Sequence, residues 1–177
     1  EFGMTIVYAT PDELEALSMG EEIAVMREGA VVQRGTPDEL YESPIDTYVA
    51  GKIGSPHMNM VKATLTADLA SLDTPLGRIV CPRKVTGASA GEAALVGIRP
   101  ADLRPAADGE AAVPSRIHLI EPLGDVTVVS VDAGGETLRM VLPEQAASQM
   151  KMGDEIPVAI DVSKIHIFRA AGGQAMT

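Results

Sequence analysis

The sequence predicts a mainly β chain, small barrels or a sandwich, preceded by a short α/β segment. Three observations predict it. Apolar residues make up 46% of the 177 positions, with no Trp, two Phe and three Tyr. The core must therefore be built from Val, Ile, Leu, Ala and Met, and the β-branched members of that set favour strands. From about residue 60 onward, short apolar runs recur between Gly, Pro and Asp turns, the spacing of a small barrel or sandwich. Before residue 54, capped helical stretches alternate with a hairpin instead.

The segments follow in order. Residues 5–10 read as a short buried strand. Thr10 then serves as N-cap, Pro11 as first helical residue and Glu13 as the return arm of a capping box. Leu14, Leu17 and Met19 form the apolar face of that helix, and Gly20 ends it. Residues 23–27 and 30–34 flank Glu28-Gly29 as a hairpin. The pentapeptide Thr-Pro-Asp-Glu-Leu returns at 36–40 and caps a second short helix, the same local device used twice. A third helical stretch runs from Pro44 to Ile53, and Gly54-Ser55-Pro56 marks the domain boundary, giving domains 1–53 and 54–177. Strands are expected at 60–67, 77–83, 93–98, 115–121, 126–132, 136–142, 156–161 and 164–169, with a helix over 143–152. The Ala-, Asp-, Gly- and Pro-rich stretch 105–114 reads as a divider between two sub-barrels. Residues 170–177 are expected to fray, and Glu1-Phe2-Gly3 to be a cloning remnant or the cut end of a longer chain.

Charge and motifs narrow the chemistry. A net charge of −11 repels phosphate backbones, and the few aromatics offer little for stacking bases, so nucleic acid is not the expected partner. No apolar run approaches the ~18 residues of a spanning helix. One cysteine, Cys81, cannot form an internal disulfide, which fits a reducing compartment and a small core hydrophobe. His57, His118 and His166 stand far apart without a second ligand at metal spacing, so none is read as a metal ligand. Glu21-Glu22 and Asp38-Glu39 read as solvated acids at helix ends, and Met150-Lys151-Met152 as packing. No phosphate loop, dinucleotide fingerprint or nucleophile elbow occurs.

Two stretches resemble a known family. Residues 5–59 resemble the end of the ATPase domain of ABC importer subunits for sugars and glycerol phosphate, through Ile6-Val7-Tyr8-Ala9-Thr10, Asp12, Glu15-Ala16, Met19, Ile23-Ala24-Val25-Met26, Gly29, Gly35-Thr36-Pro37, Glu39-Leu40-Tyr41, Pro44, Val49-Ala50, Ile53-Gly54-Ser55-Pro56 and Met58-Asn59. The remainder resembles the regulatory domain that follows it, through Gly97-Ile98-Arg99-Pro100-Ala101-Asp102-Leu103, Glu121-Pro122-Leu123-Gly124-Asp125, Gly153-Asp154, Asp161, Ser163-Lys164-Ile165-His166 and Phe168. The resemblance implies OB-fold-like small barrels of the MOP/TOBE type behind an α/β remnant of the ATPase domain. It implies a regulatory and dimerisation module, not an enzyme, with ATP and Mg²⁺ held upstream and no cofactor in this chain. The implied partners are a second copy or a paralogous ATPase subunit, and the permease subunits; the implied place is the cytoplasmic side of the membrane, peripheral to it through the transporter.

Where the family carries its switch histidine this chain has Pro11, a degenerate position, so no catalytic residue transfers. Residues 5–50, cut from the sheet they resemble, are expected to be the less stable part. The alternative is an oxyanion domain for molybdate or tungstate, because related barrels in oxyanion importers bind those ions. Ser115, Arg116, Ser163 and Lys164 are its candidate donors, against an unfavourable overall charge.

Overall fold

The computed structural model describes residues 3–176; Glu1, Phe2 and Thr177, which include parts of both expected chain ends, lie outside the described residues. Residues 3–10 form no regular element, which corrects the expected buried strand. Ile6, Val7 and Tyr8 are 76%, 94% and 61% exposed. A strand needs a neighbour for its N–H and C=O groups, and no strand among the described residues pairs with this one.

Helix α1 (Glu13–Met19) is capped by Asp12, whose carboxylate accepts from the backbone N–H of Leu14 and Glu15. The expected Thr10 box is therefore corrected: Pro11 precedes the cap, and the Thr10 hydroxyl donates to Glu15 at 2.7 Å. In the second copy the box does form. Thr36 accepts from the Glu39 N–H, Glu39 accepts from the Thr36 N–H, and Pro37 opens α2 (Pro37–Glu42). The difference between the copies is tertiary: Leu40 is fully buried, whereas Leu14 is 57% exposed. Between the helices, β1 (Ile23–Arg27) and β2 (Ala30–Gly35) form the predicted hairpin. Glu28 and Gly29 have φ of 51° and 81°, as a type I′ turn requires. Helix α3 (Thr47–Lys52), capped by Asp46, completes a small cluster around Val25, Leu40, Val49 and Ile53.

Two five-stranded antiparallel sheets follow. The first has the order β12-β6-β3-β4-β5, with β3 (Asn59–Leu65), β4 (Ser71–Thr74), β5 (Gly77–Val80), β6 (Ala93–Ile98) and β12 (His166–Arg169). The second has the order β10-β9-β8-β11-β7, with β7 (Leu103–Pro105), β8 (Val113–Pro122), β9 (Val126–Ala133), β10 (Glu136–Pro143) and β11 (Glu155–Ile160). A short helix, α4 (Glu144–Ala147), follows β10. β3 and β10 alternate buried and open positions with period two, as half-buried strands do.

The chain changes sheet at Arg99–Asp102 and not at 105–114, and β12 returns to the first sheet beside β6. Residues 106–112 only join β7 to β8 within the second sheet. One core therefore serves both sheets, uniting Val61, Val96 and Ile98 with Ile117, Val131 and Met140. Asn59 sews them together: its amide donates to the carbonyls of Ile98 and Arg139 and accepts from the Arg139 N–H at 2.8 Å. Gly97 has no room for a side chain, because a Cβ there would lie 2.9 Å from the Phe168 ring. Up to Met176 the tail does not fray. Gln174 and Ala175 bridge Asp46 and Phe168, and Met176 is buried, so apolar burial and backbone bonds both hold it.

The α/β segment docks on the first sheet through Arg99. This side chain is 1% exposed. Its guanidinium donates to the carbonyls of Ala50, Ile53 and Tyr41 and lies 4.0 Å from the centroid of the Tyr41 ring. The C-terminal carbonyls of a short helix lack intrahelical partners, and here an arginine from another layer supplies the donors. Gly54, with φ of 102°, leaves the space: a Cβ there would sit 3.1 Å from the guanidinium and 3.2 Å from Tyr41. Arg99→Met keeps the apolar stem and leaves three carbonyls without their donor. It is expected to cost about 2–4 kcal/mol. Hydrogen exchange should accelerate at Val49–Ile53 more than at Val96–Ile98; uniform acceleration would mean that Arg99 serves the whole fold and not the docking.

Candidate functional site

The residues singled out for chemistry fall in separate places. Pro11 is exposed in the turn before α1, one residue ahead of the Asp12 cap. Ser115 and Arg116 lie in β8 opposite Ile156 and Glu155 of β11, along a shallow groove that Asp132 and Pro157 also line. Ser163 and Lys164 follow the far end of β11 in a 3-10 turn. All four have protein partners. Ser115 donates to the Val113 carbonyl at 3.0 Å and Arg116 to that of Gly153 at 3.1 Å. Ser163 donates to Asp161 at 2.6 Å, and the Lys164 ammonium lies 3.2 Å from the Asp102 carboxylate. An oxyanion in the groove would face the carboxylates of Asp132 and Glu155, which oppose its charge.

The histidines are similarly dispersed. His57 lies 3.3 Å from the Gly54 carbonyl, and His118 3.1 Å from the Asp132 carboxylate. That contact and a hydrogen bond from Thr137 hold the Asp132 carboxyl below the usual range. Among the described residues no group of three or more His, Cys, Asp or Glu side chains is placed to hold a metal. Cys81 is buried, and burial raises its thiol pKa, which suits a packing role. Met150 packs on the main core, while Met152 is 67% exposed, so the Met-Lys-Met stretch is only half packing.

What the structure brings together is surface for contact. At the tip of the long β8–β9 hairpin, Leu119, Leu123 and Val126 are 38%, 66% and 38% exposed beside the acids Glu121 and Asp125. The α/β segment carries further exposed apolar side chains, Ile6, Val7, Tyr8, Leu14, Met19, Met26 and Val31, all more than half exposed. Sequence reasoning reached this second set only in part: the resemblance implies missing partners for Ile6, Val7 and Leu14, but the run 5–10 itself reads as a buried strand. It missed the first, because Leu123 sits in a turn outside any apolar period.

His166, on β12, is strongly perturbed. It stacks on Phe168 with ring centroids 6.2 Å apart. Burial, and secondly the charge of Arg99, push its pKa down to about 4, against a smaller opposing pull from Asp102. The imidazole is therefore neutral in the folded state at pH 7. The unfolded chain takes up a proton near pH 6.5, so this contribution to stability is complete above that value and is lost as pH falls towards about 4. His166→Phe should flatten the pH dependence of the urea midpoint across this window. Identical slopes in the two proteins would show that His166 is not held neutral.

Residues 54–103 match the MalK OB fold domain and residues 96–168 the TOBE domain. The trehalose/maltose import ATP-binding protein MalK of Thermococcus litoralis is 36% identical over 99% of this chain and 50% of its own length. The sulfoquinovosyl glycerol transport ATP-binding protein SmoE of Agrobacterium fabrum is 34% identical over 96% of this chain and 48% of its own. The sn-glycerol-3-phosphate import ATP-binding protein UgpC 1 of Rhizobium johnstonii is 32% identical over 97% and 46%. The chain thus spans about half the length of the curated relatives it matches. Among solved structures, the cytoplasmic molybdate-binding protein ModG superposes with a TM-score of 0.52 over 62% of this chain and 94% of its own, at 16% identity, a likeness of fold alone.

Proposed function

Because this chain belongs to the family of ABC-importer ATP-binding subunits that carry MalK OB-fold and TOBE domains, we propose that it is the regulatory and dimerisation part of such a subunit, serving the import of a sugar or related solute. On this reading residues up to 53 are the closing stretch of the ATPase domain, and the two sheets are the regulatory domain. The observation that carries it is the contrast between the two parts: Ile6, Val7 and Tyr8 stand in solvent outside any regular element, ahead of a two-sheet body with one shared core. An ATPase sheet would supply the missing neighbour. ATP and Mg²⁺ would be held elsewhere in the subunit, and this chain would have no ATPase activity of its own. The partners would be a second copy or a paralogous ATP-binding subunit, and the permease subunits, with the whole peripheral to the cytoplasmic face of the membrane. No helix among the described residues is long and apolar enough to cross it.

Self-association would use the apolar tip of the β8–β9 hairpin, where Leu123 is 66% exposed. In sedimentation at high micromolar concentration the 177-residue chain is expected to dimerise, and Leu123→Glu to weaken the dimer at least tenfold, since it sets a charge in a desolvated contact. A chain that stays monomeric would defeat the dimerisation reading. In the same preparation Mg-ATP should bind no more tightly than about 100 µM; tighter binding would contradict the assignment of the nucleotide to another part of the subunit.

Pro11 extends the reading to the ATP site. Proline offers no side-chain donor or acceptor and no N–H, so it cannot hold an attacking water or contact a terminal phosphate. Its exposure before the Asp12 cap explains why the fold tolerates it. We propose that the parent subunit has a degenerate ATP site, completed by a non-identical partner that supplies the histidine. Pro11→His in the full subunit, purified alone, is expected to raise its ATPase rate at least tenfold; equal rates in the two forms would refute a limiting role for this position.

A further inference from the structure

Where the end of α2, the loop after β5, strand β12 and the returning tail meet, the surface opens into a cleft of about 210 Å³. Its floor is apolar, with Ile45, Val85, Ile167, Phe168 and Met176 among the lining residues. Its rim carries Glu42, Ser43, Arg83 and His166. Among the described residues none of these four side chains makes a hydrogen bond or an ion pair. Elsewhere opposite charges do meet: Arg34 with Glu22, Arg78 with Asp73, Arg104 with Glu110 and Lys164 with Asp102. Glu42 and Arg83 come from different elements and line the same cleft without joining.

We propose that this cleft binds a small neutral polyol, about the size of a monosaccharide ring, held between the α/β segment and the first sheet. The chemistry of the rim selects that class. A carboxylate only accepts, a guanidinium only donates, and a hydroxyl and a neutral imidazole do both. Vicinal hydroxyl groups, each donor and acceptor at once, satisfy such a mixed set, whereas a phosphate or an ammonium satisfies only half of it. The rim's two formal charges cancel, so neither an anion nor a cation is drawn in by charge. The C–H face of a ring would rest on the apolar floor beside Phe168, the usual division of labour in a small-molecule site. Neutral His166 keeps one acceptor nitrogen for a hydroxyl.

The position gives the ligand a consequence. Glu42 and Ser43 belong to the docked segment, while Arg83 and His166 belong to the first sheet's loop and last strand. A bound polyol would bridge the two parts beside Arg99 and stabilise their contact by mass action. The inference stands on the cleft itself and does not depend on the importer reading.

The test is a ¹⁵N–¹H NMR titration of the 177-residue chain with D-glucose and, separately, with sodium sulfate. D-Glucose should give saturable shifts at Ser43, Ile45, His166 and Ile167, with a midpoint below about 10 mM. Glu42→Gln and Arg83→Met should each raise that midpoint at least fivefold. Both positions are exposed, so the unchanged spectrum of β9 will report an intact fold in the variants. Three results would overturn the proposal: no shift at these residues with about 50 mM D-glucose, equal midpoints in wild type and variants, or saturation by sulfate alone.

Discussion

One guanidinium decides how the two parts of this molecule are joined. Arg99 leaves the end of the first sheet, enters a space kept open by Gly54, and supplies the donors that α2 and α3 lack at their ends. Burial pushes its pKa down, but a guanidinium starts so high that the charge persists. A lysine could not replace it, because one ammonium cannot both stack on Tyr41 and reach carbonyls in three directions. Among the described residues the Nε atom has no partner, so the fit is not complete. That residual cost is borne because removing the group would strand the carbonyls of two helices.

The same residue begins the passage between sheets, so the joint and the crossover are one event. Arg99 precedes the 3-10 turn Pro100–Asp102, whose Asp102 pairs with Lys164, and Lys164 precedes β12. Within seven residues, Gly97–Leu103, the chain closes β6 against Phe168, docks the α/β segment and opens the second sheet. Asn59 makes the reverse link, a first-sheet side chain saturating the backbone of Arg139 in β10. Buried amides are costly unless every group is paired, and here the pairing reaches both sheets.

Much of this was legible in the residues. The hairpin around Glu28-Gly29, the Thr36 capping box and most long strands follow from local chemistry that tertiary context leaves alone. The failures have physical causes. Thr10-Pro11-Asp12-Glu13-Leu14 and Thr36-Pro37-Asp38-Glu39-Leu40 are identical in sequence, yet only the copy whose leucine is buried adopts the box. β4 and β7 have four and three residues, too few to display a period of two. The tail resembles a frayed end because its Ala and Gly residues carry no pattern, and its hold comes from backbone bonds and from the burial of one residue, Met176, neither of which composition encodes. For the site, sequence supplied candidate donors but not neighbours. Ser115 and Ser163 are alike in type, and the two ends of β11 keep them apart. The cleft rim of Glu42, Arg83 and His166 is discontinuous in sequence and carries no motif.

The return of β12 to the first sheet sets an order on the birth of the protein. β3 to β6 are translated early, but their sheet lacks its final strand until residues 166–169 have been made, after the whole second sheet. While a ribosome is still adding β7 to β11, the free edge of β6 has no partner and Phe168 is absent from its place over Gly97. The first sheet is therefore early in synthesis and late in completion. For that interval the nascent chain exposes an open edge of the kind that chaperones cover and stray strands join.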